Sequence, residues 1–238
     1  MERVADGVWV MRGGYPPPLI DRIMNVYFLE EDGGVTVFDA GIRTMAEHIE
    51  AVGRKMGGIR RIVLGHAHPD HRGAAALVEA PIWCHEAEVE YAEAPDGQSY
   101  KDLSKLPAFT KAGPVRAAMR LLMGGVWDAG PVRIERTVAE GDSVAGFEVV
   151  HLPGHAPGQI ALWRERDRLA LSTDCFYLLD VTTGEPSEPV VAHDAYNLDT
   201  DEARASIRKL AALDPAVCCP GHLGPLAEDA AARIARAA

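Results

Sequence analysis

The 238-residue chain has no apolar run approaching the roughly 20 residues needed to span a bilayer. Met1-Glu2-Arg3-Val4 opens no sustained apolar segment of the kind an export signal needs, so the expectation is a cytoplasmic protein with no membrane partner. Cysteine is scarce: Cys84, Cys175, Cys218 and Cys219 are the only four, and none shows a CxxC spacing. That excludes a thiolate zinc knuckle and a disulfide framework. The four read as small buried residues, with Cys175 also a candidate for the wall of a site. Basic residues are outnumbered, 24 against 35 acidic, and the net charge of −11 argues against a nucleic-acid partner. No repeat period is visible. With 47% apolar and 25% charged residues, the chain is expected to form a single domain over 1–238 with a sizeable core.

Against this ordinary background, His66-Ala67-His68-Pro69-Asp70-His71 stands out. Three imidazoles and a carboxylate within six residues suit zinc, iron or manganese. Burying them without partners would cost several kcal/mol. The preceding Arg60-Arg61-Ile62-Val63-Leu64-Gly65 reads as a buried strand, and Gly73-Ala74-Ala75-Ala76-Leu77-Val78 as the start of a helix. The motif therefore sits on a strand-to-helix loop, where α/β folds place their chemistry. Three further polar residues stand at the exits of apolar runs: His155 after Phe147 to Leu152, Asp174 after Leu169-Ala170-Leu171-Ser172, and His222 after Ala216-Val217-Cys218. That repeated placement is what a site at one edge of a sheet requires. Glycine beside two of them, in Pro153-Gly154-His155 and Pro220-Gly221-His222, allows a sharp turn.

The wider pattern is β, β, β, α, β, ligand loop, α, β, α, then a longer middle section, more strands, a helix, a last strand and a terminal helix. Asn25 to Leu29 and Val35 to Phe38 flank Glu31-Asp32-Gly33-Gly34, a hairpin signal. Asp199-Thr200-Asp201-Glu202 places acids where a helix N-terminus favours them, ahead of Ala203 to Leu213. Residues 93–131 look least like a sheet core. Within them, 114–123 read as an amphipathic helix stopped by Gly124-Gly125. With Trp127, the helix residues Met119, Leu122 and Met123 would either cap an apolar substrate pocket, pack on the core, or meet a second copy in a homodimer.

This residue set resembles the metallo-β-lactamase superfamily, the hydrolases of four-layered αββα fold built on two mixed β-sheets. The family's HxHxDH motif matches His66, His68, Asp70 and His71, and its later His, Asp and His match His155, Asp174 and His222 in order. The resemblance spans roughly residues 4 to 226 and includes Val37-Phe38-Asp39-Ala40-Gly41. It implies two divalent metal ions, zinc before iron or manganese. One would be held by His66, His68 and His155, the other by Asp70, His71 and His222, with Asp174 bridging them. A metal-bridging hydroxide would be the nucleophile, because metal binding lowers the pKa of water from about 15.7 towards 7. Asp70 is also a candidate for handling a proton after attack. Asp39 reads as an outer partner of a metal-bound imidazole, or as an acid ahead of a helix.

The same resemblance narrows the reaction. The β-lactamase branch carries Cys or Ser where Asp174 stands, which disfavours β-lactamase activity. An Asp there points to glyoxalase II-like thioesterases, lactonases and their relatives. Tyr177, three residues after Asp174, resembles the tyrosine of N-acyl homoserine lactonases that contacts the substrate carbonyl. It could donate to a developing oxyanion, or serve as an aromatic core residue. Typical glyoxalase II enzymes have a larger C-terminal helical domain that this sequence does not show. The leading expectation is a hydrolase of a small ester, lactone or thioester. A mononuclear iron persulfide dioxygenase-like oxidoreductase is the alternative, disfavoured by the full seven-ligand set. His193, Asp194 and Asn197 could face the pocket mouth or remain solvated. His48, His85 and His151 read as non-ligands.

Overall fold

The computed structural model describes residues 1–13, 23–95, 102, 105, 127–180 and 185–238. Its first sheet runs in sequence order: β1 (Glu2–Ala5), β2 (Val8–Gly13), β3 (Met24–Glu31), β4 (Gly34–Phe38), β5 (Ile59–Val63), β6 (Ile82–His85) and β7 (Arg136–Val138). Pairing is antiparallel from β1 to β4 and parallel from β4 to β7. The second sheet contains β8 (Ser143–Val144), β9 (Phe147–His151), β10 (Ile160–Arg164) and β11 (Leu169–Thr173). A late strand (Val217–Pro220) joins it by pairing parallel to β11. A small antiparallel pair, β12 (Tyr177–Leu179) and β13 (Pro186–Val190), lies between them in sequence, so the late strand is β14. Both large sheets are mixed.

The side-chain alternation of the strands explains the layering, since successive residues face opposite sides of a sheet. In β3, Val26 and Phe28 join one core cluster while Tyr27 and Leu29 join another. In β10, Ile160 and Leu162 face the second cluster while Ala161 and Trp163 face a third. The shared cluster contains Val8, Phe38, Val63, Val149, Leu171 and Cys219, drawn from both sheets, so it is the layer between them. Ile49 of helix α1 (Ala46–Lys55) covers the outer face of the first sheet. The second sheet's outer face is covered from the far end of the chain. Two further helices of the first half come before those covers in chain order: α2 (Pro69–Arg72) and α3 (Val89–Glu93). The covers are then α4 (Thr200–Ala212), through Ile207 and Leu210, and α5 (Ala230–Ala235), through Ile234. The result is the expected four-layered αββα sandwich. Strands buried on both faces read as near-continuous apolar runs, which is why they are visible in the sequence.

The 31–34 hairpin turn forms as expected, and Asp199 caps α4 by accepting from the backbone N–H groups of Asp201 and Glu202. Two details differ. Among the described residues four strands, not three, precede α1. The helix after the metal motif begins inside it, at Pro69, and ends at Arg72, with a separate 3-10 turn at Ala75–Leu77. Pro69 at the first helical position presets φ for a helix start and so moves Asp70 and His71 onto a helical turn. The amphipathic segment 114–123 lies outside the described residues. Trp127 is half-buried and packs against the core cluster beneath the first sheet. Cys175 is buried in the cluster under the second sheet, close enough to Asp174 to feel its charge. No helix among the described residues is long and apolar enough to cross a membrane.

Two buried ionisable side chains hold the loops at the sheet ends. The Arg72 guanidinium pairs with Asp128 at 2.7 Å and donates to the carbonyls of Tyr91, Ala92 and Ala94. It thereby ties α2 to the end of α3. Glu88 is fully buried and accepts from the backbone N–H groups of Ala67 (2.7 Å) and Gly158 (2.8 Å). One carboxylate thus bolts the His66–His68 loop to the loop that carries His155. Burial pushes the Glu88 carboxyl up to about 7, and the two backbone N–H groups only partly offset it.

Between about pH 4.5 and 7 the folded chain therefore keeps a proton on Glu88 that the unfolded chain has released. Stability falls as pH rises through that window. In the metal-free protein, Glu88→Gln is expected to flatten this fall in thermal midpoint measured across pH 4.5–7. It should also lower the midpoint at acid pH, because one buried N–H loses its acceptor at a cost of about 1–3 kcal/mol. A slope equal to that of the parent would show that Glu88 is ionised throughout.

Candidate metal centre

Four strand exits converge on one cleft. β5 leads to His66 and His68, β9 to His155, β11 to Asp174, and β14 to His222. The exits are joined by backbone hydrogen bonds, Ile160 N–H to the Gly65 carbonyl at 2.9 Å and Gly221 N–H to the Thr173 carbonyl at 2.8 Å. The first sheet also grips the last loop. Asn25 Nδ2 and the Tyr27 hydroxyl both donate to the Pro220 carbonyl, at 2.9 and 2.6 Å. Gly221 lies at the floor, where a Cβ would come within 2.4 Å of Asp174 Oδ1 and 2.6 Å of His71 Cε1. Gly154 has φ +118°, and a Cβ there would sit 2.1 Å from the backbone nitrogen of Ala203. Any larger residue would push the His155 loop off α4.

The seven expected ligands form two groups whose donor atoms lie within 4.8 Å of one another: His66, His68 and His155, and Asp70, His71, Asp174 and His222. In the first, His68 Nδ1 is 2.8 Å from His66 Nε2 and 3.1 Å from His155 Nε2. In the second, Asp174 Oδ2 is 3.3 Å from both His71 Nε2 and His222 Nε2, and Asp70 Oδ2 is 3.5 Å from His222 Nε2. Asp174 Oδ2 also lies 3.7 Å from His155 Nε2, so it stands between the two groups. All seven are buried apart from Asp70, which is partly exposed.

Outer hydrogen bonds determine which nitrogens face inward. Asn197 Nδ2 donates to the Ala192 carbonyl, which leaves its Oδ1 to accept from His155 Nδ1 at 3.0 Å. His155 therefore carries its proton on Nδ1 and turns a bare Nε2 to the cluster. His71 Nδ1 donates to Asp39 Oδ2 at 2.8 Å, so a neutral His71 likewise presents a bare Nε2. Asp70 Oδ1, Asp174 Oδ1 and His222 Nδ1 are buried with no hydrogen-bond partner. Converging lone pairs, an N/O donor set and orphaned carboxylate oxygens fit divalent cations and fit little else.

Charge within the metal-free site follows the same geometry. Burial favours the neutral form of His71, but Asp174 and Asp39 outweigh it and raise its pKa well above the usual histidine value. Burial likewise opposes charge on His222, and Asp174 raises it nonetheless. Burial would raise Asp174, yet His222 and His71 hold it well below the carboxylate range. The Tyr177 phenol donates to Asp174 Oδ2 at 3.0 Å, and its ring stands edge-on to His222 and His155. Burial and the charges of Asp174 and Asp70 keep it protonated.

Some of these residues carry little signal in the sequence. Asn197, which the sequence allows at the pocket mouth or in solvent, orients His155. Thr173 and Glu88 have no sequence signature, since a strand-end threonine and a helix-start glutamate are common. His85 and His151 stack on each other at 4.1 Å and join neither donor group. His48 lies on α1, outside both groups.

The chain is similar to several known proteins. YqjP of Bacillus subtilis (strain 168), a probable metallo-hydrolase, is 26% identical over 228 residues, covering 89% of this chain and 70% of YqjP. A metallo-beta-lactamase family protein from Thermus thermophilus, TTHA1429, superposes with a TM-score of 0.67 at 24% identity, covering 98% of this chain and 79% of its own. The crystal structure of TTHA1623 in a di-iron-bound form superposes with a TM-score of 0.65 at 25% identity, covering 95% of this chain and 98% of its own. The sequence profile of the metallo-beta-lactamase superfamily matches residues 20–222, and by that match, which runs from before β3 to His222, the chain belongs to this superfamily.

Proposed function

We propose that the protein is a dinuclear metal-dependent hydrolase of a small ester, lactone or thioester. The observation that carries this reading is Asp174 Oδ2, placed within 3.3 Å of His71 and His222 and 3.7 Å of His155. One carboxylate oxygen in contact with both donor groups is suited to bridging two cations. Zinc fits the donor set best, with iron and manganese as alternatives. TTHA1623, which is similar over 95% of this chain, binds two irons in its crystal structure. The cations would supply an activated water at neutral pH and a Lewis-acid contact for the acyl oxygen.

The chain's own residues do the rest. His66, His68 and His155 would hold one cation, and Asp70, His71 and His222 the other, with Asp174 available to both. Asp39 fixes the tautomer of His71 and Asn197 that of His155. The Tyr177 hydroxyl lies beside the bridging carboxylate, remains protonated, and can turn a hydrogen bond towards negative charge developing on an acyl oxygen. Asp70, the ligand nearest solvent, can accept a proton released at the cleft and pass it to the leaving group.

Purified without added metal, the protein is expected to carry about two divalent cations per chain by elemental analysis, since each donor group fits one. The zinc-loaded form should hydrolyse at least one substrate in a panel of acyl-lactones, aryl esters and acyl-thioesters, above the rate of His68→Ala. One equivalent of iron together with oxygen uptake, or no turnover above that control, would overturn this reading.

For a substrate from that panel, Tyr177→Phe should lower kcat about 10-fold and leave KM nearly unchanged, as expected when a hydrogen bond forms mainly in the transition state. Metal content should stay at the parent value. A loss of metal instead would place the phenol's role at Asp174 rather than at the substrate.

A further inference from the structure

Behind the two donor groups, one hydroxyl and one carboxylate link His66 to His71. Asp39 Oδ1 accepts from the Gly65 backbone N–H at 2.7 Å. Its Oδ2 accepts from His71 Nδ1 at 2.8 Å and from the Thr173 hydroxyl at 2.9 Å. Thr173 Oγ1, having given its proton to Asp39, can accept from His66 Nδ1, which lies 3.2 Å away. His71 Nδ1 is also 3.2 Å from Thr173 Oγ1, but the carboxylate is nearer and is the stronger acceptor. Asp39, His66, Thr173 and His71 are all at most 1% exposed, so water does not replace these bonds.

The backbone is bent to make this arrangement. Asp39 has φ +60° and Thr173 has φ +43°, both in the left-handed region, where a β-branched residue is rare. Such residues persist only where surrounding structure holds them, and they concentrate at functional sites. Gly65 admits Thr173: a Cβ at position 65 would come within 2.7 Å of the Thr173 Cβ.

We propose that Thr173 is a positioning residue that orients His66 of the first donor group, while the second group relies on Asp39 itself. Its hydroxyl sets the His66 tautomer and passes that bond to Asp39, so one carboxylate supports both metal sites, directly at His71 and through Thr173 at His66. This rests on the dinuclear reading above. Removing the hydroxyl should weaken one site, while removing the carboxylate should weaken both.

The test is zinc affinity by chelator competition, in the 238-residue chain, with one donor group weakened at a time. In a His222→Ala background, which leaves His66, His68 and His155, Thr173→Val should weaken zinc binding about 10-fold or more, the usual cost of losing an outer partner of a ligating histidine. Thr173→Ser, which keeps the hydroxyl, should restore affinity to near the parent value. In a His68→Ala background, which leaves the other donor group, Thr173→Val should change affinity little. Asp39→Asn should weaken zinc in both. Equal effects of Thr173→Val in the two backgrounds, or none in either, would overturn the proposal. If wild-type protein takes up no zinc, the dinuclear reading fails with it; if wild-type takes up two and Thr173→Val is silent, this proposal fails alone. Should Thr173→Val not fold, the imidazole ¹⁵N spectrum of metal-free wild-type protein decides the matter. His66 protonated on Nδ1 supports the relay, and His66 protonated on Nε2 overturns it.

Discussion

The packing of imidazoles and carboxylates into one buried cluster is the constraint on which the rest of this structure depends. Charged and polar groups without partners are expensive to bury. Here Asp174 Oδ2 lies within 3.7 Å of His71, His155, His222 and the Tyr177 hydroxyl. Asp174 raises the pKa of both His71 and His222 against the opposing effect of burial, so a proton on either would offset its charge. Divalent cations would serve the same end, because each can accept several lone pairs at once. The scaffold is built around that requirement. Loops from both sheets are fixed to one another by Glu88, by Asn25 and Tyr27, and by backbone bonds, so that the donors cannot separate to relieve their crowding.

The cost of holding this cleft together is spread through particular residues. Asp39 and Thr173 occupy left-handed backbone conformations that cost of order 1–3 kcal/mol each. Arg72 is wholly enclosed and needs an aspartate and three carbonyls to satisfy its guanidinium. These arrangements survive because the two sheets share one apolar layer. Strands that carry the ligands are buried on both faces, β5 through Ile62 and Val63, and β11 through Ala170 and Leu171. Displacing a ligand loop would mean disturbing that layer.

The fold and the seven donors are legible in the sequence because both rest on local signals. Apolar runs such as those ending at Val63 and Ser172 mark buried strands, and each polar residue after them marks a strand exit. The HxHxDH spacing is dense enough to exclude an incidental origin. What the sequence does not show depends on contacts between distant segments. Thr173 matters because Asp39, 134 positions earlier, and His66, 107 positions earlier, meet its hydroxyl. Glu88 matters because Ala67 and Gly158 both turn N–H groups towards it. Asn197 stands out in the sequence only for lying before a helix, and its partner His155 lies 42 positions away. The start of α2 differs from expectation for a local reason: the run of alanines after Gly73 favours a helix by composition, but Pro69 starts one earlier and Gly73 ends it.

The contrast between Glu88 and Asp174 shows how the fold decides where charge resides. Both carboxylates are deeply buried beside the ligand loops. Glu88 faces two backbone N–H groups, whose dipoles do not outweigh its desolvation, and its carboxyl rises to about 7. Asp174 faces His71 and His222, and their charge more than offsets the same penalty. The difference lies in neighbours, since burial is common to both. Glu88 can therefore act as a structural bolt whose charge is nearly dispensable. Asp174 is held ionised, with one oxygen turned towards both donor groups, which is the state a shared cation ligand requires. Negative charge held at the centre of the cleft attracts cations to it.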